Sequence, residues 1–313
     1  MNVTTYKTAS FIALATLLSA VAPAQNAPQT NANSVQIVVT AEVKHGSTVP
    51  AIERDEVLVY EGKDRDQVTA WVPATGERSA LELYVLIDDG AGISTGAQLE
   101  NLRQYVEAQP TTTSVGIAYM QNGSARVAQS PTLDHALAAK ALRLPLGLPG
   151  INASPYMSLS DLLKNWTQTN ARRAVLLITD GIDHVYDGDG MDNPYVDQAI
   201  SQAQRAGVMV YAIYSPGAGH YDHTYWRSTW GQMYLSQLSD QTGAEAYYIG
   251  FTGAPVTFKP YLEDMDGRFS RQYFLTFIPK PQKKAGMQRI RLGAETPGVE
   301  LVGPASVYVP AKE

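Results

Sequence analysis

The chain has 313 residues, of which 17% are charged, with a formal net charge of -6 and no cysteine. A chain of this length can hold one large domain or two of ordinary size, with a sizeable hydrophobic core in either case. Mild acidity without a cluster of Lys or Arg argues against nucleic acid and anionic lipid as partners. The lack of cysteine excludes disulfides as a source of stability.

The first 24 residues have the pattern of a secretory signal peptide. Lys7 precedes the apolar run ASFIALATLLSAVAP, and the small residues APA stand before Gln25. This run is too short for a transmembrane helix and is interrupted by Ser19 and Pro23. We therefore expect cleavage near Ala24–Gln25, export to the periplasm or the medium, and no transmembrane segment in the mature protein. Residues 25–34 are polar, which predicts a disordered linker.

Residues 35–80 show the alternation of apolar and polar residues that is typical of β-strands. In VQIVVTAEV, the residues Val35, Ile37, Val39 and Ala41 fall on one side. The stretches EVLVYEGK and QVTAWVP repeat this pattern, with turn residues between them. We predict a β-rich N-terminal flank here.

The pattern changes at residue 81, and from there to residue 270 strands and helices alternate. The runs LELYVLI, RRAVLLIT and VMVYAIY are almost continuously apolar, which is typical of parallel strands buried on both faces. AQLENLRQYV and YLSQLSDQTGA have the spacing of amphipathic helices. A further helix should begin after the cap residue Asn193, with Pro194 in its first turn, and end at Gly207. This alternation predicts a doubly wound α/β domain with a mostly parallel sheet.

Residues 271–313 are again rich in strand patterns, in RQYFLTFIP, MQRIRLGAE, VELV and ASVYVP. Neither flank alone has enough strands to cover a hydrophobic core. We therefore expect residues 271–313 to pair with residues 35–80 in a β-sandwich, with the α/β domain inserted between the two halves.

The turn after the first strand of the α/β domain, in LYVLIDDGAGIST, has two incompatible interpretations. As the phosphate loop of a dinucleotide-binding enzyme it has Gly90 and Gly92 in place, but Thr95 holds the third glycine position. Asp88 and Asp89 would also set negative charge beside a pyrophosphate. The next strand, SVGIAYMQNG, does not end in the acid that would bind a ribose.

The second interpretation is a cation site. Asp88 ends the first strand of the domain, and Asp180 in LLITDG ends the fourth. Strands 1 and 4 are neighbours at the point where the order of a doubly wound sheet reverses, so both carboxylates should meet at one crevice. Carboxylates in such a place favour a hard cation such as Mg²⁺.

The motif RRAVLLITDGID, together with this arrangement, resembles the von Willebrand factor type A domain. The flanks, with VQIVVTAEV and DEVLVYEGK before the domain and YLEDMDGRFSRQYFLTFIPKP after it, more closely resemble an acidobacterial family of secreted proteins related to that domain. The resemblance implies a non-enzymatic protein-binding or adhesion module. It also implies a metal-ion-dependent adhesion site, in which a cation captures an acidic side chain of a partner.

The chain departs from the family's metal motif. Where the family has D-x-S-x-S, this chain has Asp88 followed by Gly90 and Gly92 at the positions of the two serines, whose hydroxyls are metal ligands in the family. The nearest candidate for the family's threonine ligand is Ser154, which is equally suited to cap a helix before Pro155. We therefore expect Asp88, Asp180 and Ser154 to form a weak or absent site for Mg²⁺, Mn²⁺ or Ca²⁺, and Gly90 and Gly92 to let a partner's backbone approach.

Two further segments hold candidate binding residues. DGIDHVYDGDGMDN places Asp183 beside the expected crevice, but its spacing does not complete a Ca²⁺ loop. GHYDHTYW has the spacing of a transition-metal site without a further strong ligand, and its aromatic residues are typical of a protein-binding loop. The partner-binding candidates in this segment are His220, Tyr221, Asp222, His223 and Trp226.

Catalytic residues are not expected. The chain has neither a cysteine nor a G-x-S-x-G motif, and His184 has no identifiable serine partner. Two alternatives to a binding module remain: an enzyme that uses the crevice for metal-assisted hydrolysis or for a nucleotide, and a cell-envelope scaffold with no ligand at the crevice. The sequence predicts neither the partner nor the oligomeric state.

Overall fold

The structure is a computed structural model that describes Met1 and residues 34–44, 48–90, 96–147, 150–186, 192–216, 224–248 and 257–311. Asn33–Glu313 form one compact unit. The expected signal peptide and nearly all of the expected linker lie outside the described residues. No helix among the described residues is long and apolar enough to cross a membrane.

A six-stranded sheet forms the centre of the α/β part, in the order β10-β9-β8-β5-β6-β7. All its neighbouring strands are parallel except β6 and β7, which pair antiparallel. The strands are β5 (Leu81–Asp88), β6 (Thr113–Gln121), β7 (Ser124–Thr132), β8 (Arg172–Thr179), β9 (Val208–Tyr214) and β10 (Ala246–Tyr247). The order reverses between β5 and β8, as expected for a doubly wound sheet.

Helices cover this sheet through two separate hydrophobic clusters. One cluster contains buried residues of the first, second and last helices, and the other contains those of the third, fourth and fifth. Asn193 caps the fourth helix, and Gly207 ends it in a left-handed conformation, as the sequence predicts. The helices are α1 (Gly96–Glu107), α2 (His135–Lys140), α3 (Pro155–Asn165), α4 (Pro194–Ala206), α5 (Tyr225–Thr242) and α6 (Lys259–Ser270).

The two flanks pair with one another, as expected. A four-stranded sheet has the order β14-β1-β11-β4, so N-terminal and C-terminal strands alternate in it. Two smaller sheets, β13-β2-β3 and β12-β15, contribute to the same hydrophobic cluster. The strands are β1 (Val35–Val43), β2 (Val57–Glu61), β3 (Asp64–Arg65), β4 (Gln67–Pro73), β11 (Gln272–Ile278), β12 (Gly286–Arg289), β13 (Arg291–Ala294), β14 (Val299–Val302) and β15 (Ser306–Val309).

The stretch MQRIRLGAE, expected as one strand, forms two. Ile290 separates β12 from β13, and these strands belong to different sheets. The backbone N–H of Ile290 donates to the carbonyl of Ala305, and its side chain is buried in the flank core. The sequence does not indicate this break, because the alternation of polar and apolar residues continues without interruption through Arg289, Ile290 and Arg291.

Candidate functional site

The carboxyl ends of β5 and β8 bring the two expected aspartates to one edge of the sheet. Asp88 is the last residue of β5, and Asp180 directly follows β8, which pairs with β5 in parallel up to Ile87 and Ile178. Both aspartates are almost completely buried, with 6% and 1% of their surface exposed. The switch-point argument from the sequence therefore places these residues correctly.

Protein donors hold both carboxylate oxygens of Asp88. The backbone N–H of Gly90 donates to Oδ1 at 2.8 Å, and the hydroxyl of Thr179 donates to Oδ2 at 2.8 Å. Thr179 is itself buried and accepts from the backbone N–H of Gly181 at 3.2 Å. This threonine thus connects the two strand ends, which no local pattern in the sequence indicates.

Asp180 lies in a tight turn against helix α5. Its Oδ1 accepts from the backbone N–H of Ile182 at 2.9 Å. The turn continues through Gly181, whose φ is +73°, and a Cβ there would lie 2.4 Å from the carbonyl oxygen of Gly231 in α5. The hydroxyl of Tyr156 donates to the carbonyl of Gly181 at 2.8 Å. Burial, followed by the charges of Asp183 and Asp180, raises the pKa of Tyr156, so this donor keeps its proton.

Ser154 performs the capping role that the sequence allows. It is the N-cap of α3, and its Oγ accepts from the backbone N–H of Met157 at 3.2 Å. It also lines, together with Asp88 and Ser158, a narrow cleft with a volume of about 10 Å³. Ser158, which has the spacing of a second cap with Asp161, instead lies inside α3, because the helix already begins at Pro155.

Asp183 fixes the start of α4 next to the same turn. Its Oδ1 accepts from the backbone N–H groups of Val185 at 2.9 Å and Tyr186 at 3.3 Å, and its Oδ2 accepts from the side-chain amide of Asn193 at 3.0 Å. Asn193 is the N-cap of α4. The carboxylate is 6% exposed, so it stabilises this corner of the crevice and presents little surface to a partner.

Asp89, which the sequence does not single out as a binding residue, anchors a neighbouring loop. Its carboxylate accepts two hydrogen bonds from Arg143, at 2.7 and 3.1 Å, and one from the backbone N–H of Leu146 at 2.9 Å. The guanidinium of Arg143 also lies 3.8 Å from the ring centroid of Tyr119. The hydrogen bond to Asp89 raises the pKa of Arg143. This ion pair joins residues 54 positions apart and therefore has no local sequence signal.

Large apolar side chains are exposed in two segments that contact the crevice turns: Leu146 donates its backbone N–H to Asp89, and Gly231 of α5 packs against Asp180 and Gly181. In α5, Tyr225 and Trp226 are 60% and 64% exposed. They lie in the first turn of α5, capped by Thr224, and not in the loop that the sequence suggested. The segment tied to Asp89 exposes Leu146 to 57% and the nearby Ile151 to 92%. We call Tyr225, Trp226, Leu144, Leu146 and Ile151 the apolar rim.

The residues present do not fit a tightly held cation. The oxygen donors of Asp88, Asp180 and Ser154 have the right chemistry for Mg²⁺ or Ca²⁺. However, Gly90 supplies no side-chain oxygen, and the protein's own N–H and O–H groups already occupy both oxygens of Asp88, one of Asp180 and the hydroxyl oxygen of Ser154. Within the described ranges, no group of three or more His, Cys, Asp or Glu side chains is arranged to hold a metal.

Several candidate residues lie outside the described residues. These are Gly92 in the turn after β5 and the four candidates His220, Tyr221, Asp222 and His223. Of the partner-binding candidates that the structure does describe, Trp226 is exposed, whereas Gly90 and Asp183 are buried.

No family model and no curated protein sequence matches this chain. Several solved structures are similar in fold. The protein BatB of Bacteroides thetaiotaomicron has 16% identity and a TM-score of 0.45, with 61% of this chain and 98% of BatB covered. The SpRpn10 VWA domain has 10% identity and a TM-score of 0.38, with 59% and 95% covered.

A third similar structure contains three N-terminal domains of the type V pili tip protein Mfa5 of Porphyromonas gingivalis. It has 9% identity and a TM-score of 0.40, with 89% of this chain and 67% of that chain covered. Nothing about ligands or partners is carried from these proteins to this one. The strand order of the central sheet gives the fold by itself: the chain has a doubly wound α/β part, and the structures to which it is similar include type A domains.

Proposed function

We propose that this chain is a protein-binding module that captures its partner at the crevice between β5 and β8, without a bound cation. The observation that carries this proposal is the apolar rim. Isolated exposed apolar residues are ordinary, but two groups of exposed aromatic and aliphatic side chains at the same edge of the sheet are typical of protein-binding surfaces. Tyr and Trp in particular supply much of the binding energy at such surfaces.

The floor of the crevice supports a partner of particular chemistry. Asp88 and Asp180 are buried and held by protein donors, so their negative charge is fixed in place. Without a cation, this floor repels an acidic side chain, the group that a cation-dependent site would capture. A partner surface that combines apolar groups with hydrogen-bond donors is therefore the best complement.

A nucleotide is a poor complement for the same turn. A phosphate loop offers free backbone N–H groups to phosphate oxygens. Here the N–H of Gly90 donates to Asp88, and the carboxylate of Asp89 lies next to it with Arg143 as its partner. These contacts favour a binding module over a nucleotide-dependent enzyme, and we propose no catalytic residue.

The experiment that tests this function is affinity capture from a cell-envelope extract with the full chain, two rim variants and one control variant. Leu146→Ala removes a rim residue that is 57% exposed, and Leu133→Ala removes one that is 61% exposed at the opposite edge of the sheet. We expect a specific set of proteins to be recovered with the wild type and with Leu133→Ala, and to be lost with Leu146→Ala and Trp226→Ala.

Equal recovery with the rim variants and the control would contradict the proposal. It would favour the scaffold alternative, in which the crevice has no ligand. Performing the capture in excess EDTA separates the two parts of the proposal, because a partner lost only in EDTA would refute cation independence while leaving the binding role intact.

We also propose export, on the basis of the first 24 residues of the sequence. Mass spectrometry of the protein from an expressing bacterial cell should find a mature chain that starts at or near Gln25. Recovery of an uncleaved chain from the cytoplasm would contradict this proposal.

A further inference from the structure

A second cleft lies at the opposite edge of the central sheet. It is bordered by the first residues of β8 and β9, the end of α4 and strands β1 and β15, and its volume is about 480 Å³. Three arginines line it, Arg205 near the end of α4 and Arg172 and Arg173 at the start of β8. The side chains of Arg172 and Arg173 lie on opposite faces of the sheet, so Arg173 and Arg205, which both lie beside Ala206, are the two that share one side of the cleft. We call this space the arginine cleft.

Arg172 carries a buried charge without a carboxylate partner. It is 6% exposed, and its guanidinium donates to three neutral acceptors: the carbonyls of Phe269 and Ser79 and the side-chain oxygen of Gln272. Its Nε is buried and has no hydrogen-bond partner among the described residues. Burial lowers the pKa of Arg172 to about 10, because nothing nearby compensates its charge fully. Its neighbour in the fold, Tyr211, opposes this shift only in part.

The other two arginines are also poorly compensated. Arg173 is 7% exposed, donates to the carbonyl of Ala206 and lies over the ring of Trp166 at 5.6 Å. Burial lowers its pKa, and the charge of Glu82 opposes that shift. Arg205 is exposed and lies 4.8 Å from the ring centroid of Tyr308. Neither Arg173 nor Arg205 forms an ion pair within the described part of the chain.

The charge of the cleft contrasts with that of the chain. The whole sequence has a net charge of -6, yet none of the described residues that line the cleft is an Asp or a Glu. Residues 2–33, which precede β1, also contain no acid.

The remaining walls are partly apolar. Val35 and Ile37 of β1 line the cleft beside the arginines, and the buried side chains of Met209 and Val307 lie behind them. A guanidinium recognises carboxylate and phosphate oxygens through paired N–H donors, and apolar walls favour a ligand with an apolar body. We propose that the arginine cleft binds a small organic anion with an apolar tail, at a site separate from the partner-binding crevice.

The test is a calorimetric titration of the full chain with octanoate, which has one carboxylate and one alkyl tail. Acetate, which lacks the tail, and octanol, which lacks the charge, are the matched ligands. We expect saturable binding of octanoate and weaker or undetectable binding of the other two. Arg205→Gln should weaken octanoate binding by about tenfold or more, as expected for a lost charged hydrogen bond.

Arg103→Gln is the matched control, because it removes one exposed arginine from α1, outside the cleft, with the same change in net charge. It should leave octanoate affinity unchanged. We choose Arg205 because it tethers no backbone, whereas Arg172 holds three segments together.

Three results would overturn the inference: no saturable binding at about 10 mM octanoate, equal weakening by Arg205→Gln and Arg103→Gln, or octanol that binds as tightly as octanoate. Each of these outcomes leaves the proposed crevice function unaffected, because none of the variants changes the apolar rim.

Discussion

The carboxylates of the crevice and those of the N-terminal flank are equally buried but differently satisfied. Asp88 and Asp180 are 6% and 1% exposed, and Glu61 and Asp66 are 8% and 6% exposed. Each crevice aspartate accepts at least one hydrogen bond from a backbone N–H. In the flank, Oε1 of Glu61 and Oδ2 of Asp66 are buried with no hydrogen-bond partner among the described residues.

The difference shows what a buried carboxylate needs in order to keep its charge. Burial, together with the charge of Glu61, raises the pKa of Asp66 to about 6. In the crevice, the donors from Gly90, Thr179 and Ile182 replace the water that burial removes. The crevice carboxylates are therefore held by protein donors, and ionisation of Asp66 destabilises the fold.

Gly181→Ala should have the largest effect, because it deforms the crevice itself. An alanine at φ +73° is strained, and its Cβ would lie 2.4 Å from the carbonyl oxygen of Gly231. We expect a loss of about 4 kcal/mol in the free energy of unfolding, measured by urea denaturation. Gly62→Ala in the flank, at φ +64° with no atom within 4 Å, should lose only about 1 kcal/mol. Similar losses would show that the crevice turn is not tightly packed.

Arg143→Gln should follow, because it leaves the buried carboxylate of Asp89 without its cation. We expect a loss of about 3 kcal/mol in the free energy of unfolding, at the lower end of the range for buried pairs because Arg143 is partly exposed. Arg54→Gln removes an exposed ion pair with Asp55 and should change stability by less than about 1 kcal/mol. A loss of the same size in both variants would contradict the role assigned to Asp89.

Asp66→Asn should stabilise the protein at neutral pH, in contrast to the two changes above. The folded-state pKa of Asp66 is about 6 against an ordinary value of 3.8, so the folded chain binds this proton more tightly than the unfolded chain. The stability that comes from this preferential protonation is fully present below pH 3.8. It is lost as the pH rises through the folded-state pKa of about 6, because Asp66 then becomes a buried carboxylate. We expect the variant to be about 2 kcal/mol more stable than the wild type at pH 7.5 and not more stable at pH 4. Equal stabilities at pH 7.5 would contradict the account of the flank pair.

Thr179→Val should have the smallest effect of the four. It removes the hydroxyl that donates to Asp88 while keeping the shape of the side chain, and the N–H of Gly90 remains as a donor. We expect a loss of about 1 kcal/mol by thermal denaturation. Thr179→Ser keeps the hydroxyl as the control for that bond. If serine loses as much as valine, the hydrogen bond to Asp88 does not hold the crevice.

Periodicity was sufficient to predict most of the elements. The bounds of β1, β4 and β9 coincide with the stretches VQIVVTAEV, QVTAWVP and VMVYAIY, because alternating and continuous apolar runs reflect burial on one face or on two. The meeting of Asp88 and Asp180 followed from the strand order, since parallel strands end at the same edge. Strand β7, by contrast, is largely polar and exposed at the sheet edge, so its pattern carries no burial signal.

The contacts that decide the chemistry of the site were not predictable in this way. The hydrogen bond from Thr179 to Asp88 joins residues 91 positions apart, and the ion pair of Arg143 with Asp89 joins residues 54 positions apart. Neither contact belongs to a motif in which the two residues are separated by a fixed number of positions. The exposure of Trp226 also depends on where α5 begins, which the cap residue Thr224 decides. Such contacts arise from the packing of whole helices and strands, so they cannot be predicted from short segments of the sequence.

The most direct test of the cation-independent crevice is calorimetric titration of the mature protein with Mg²⁺, Mn²⁺ and Ca²⁺, with Asp180→Ala as the control. We expect no saturable binding up to about 10 mM, well beyond the range of weak extracellular sites. Saturable binding that is lost in Asp180→Ala would contradict the account and would mean that the crevice still holds a metal ion.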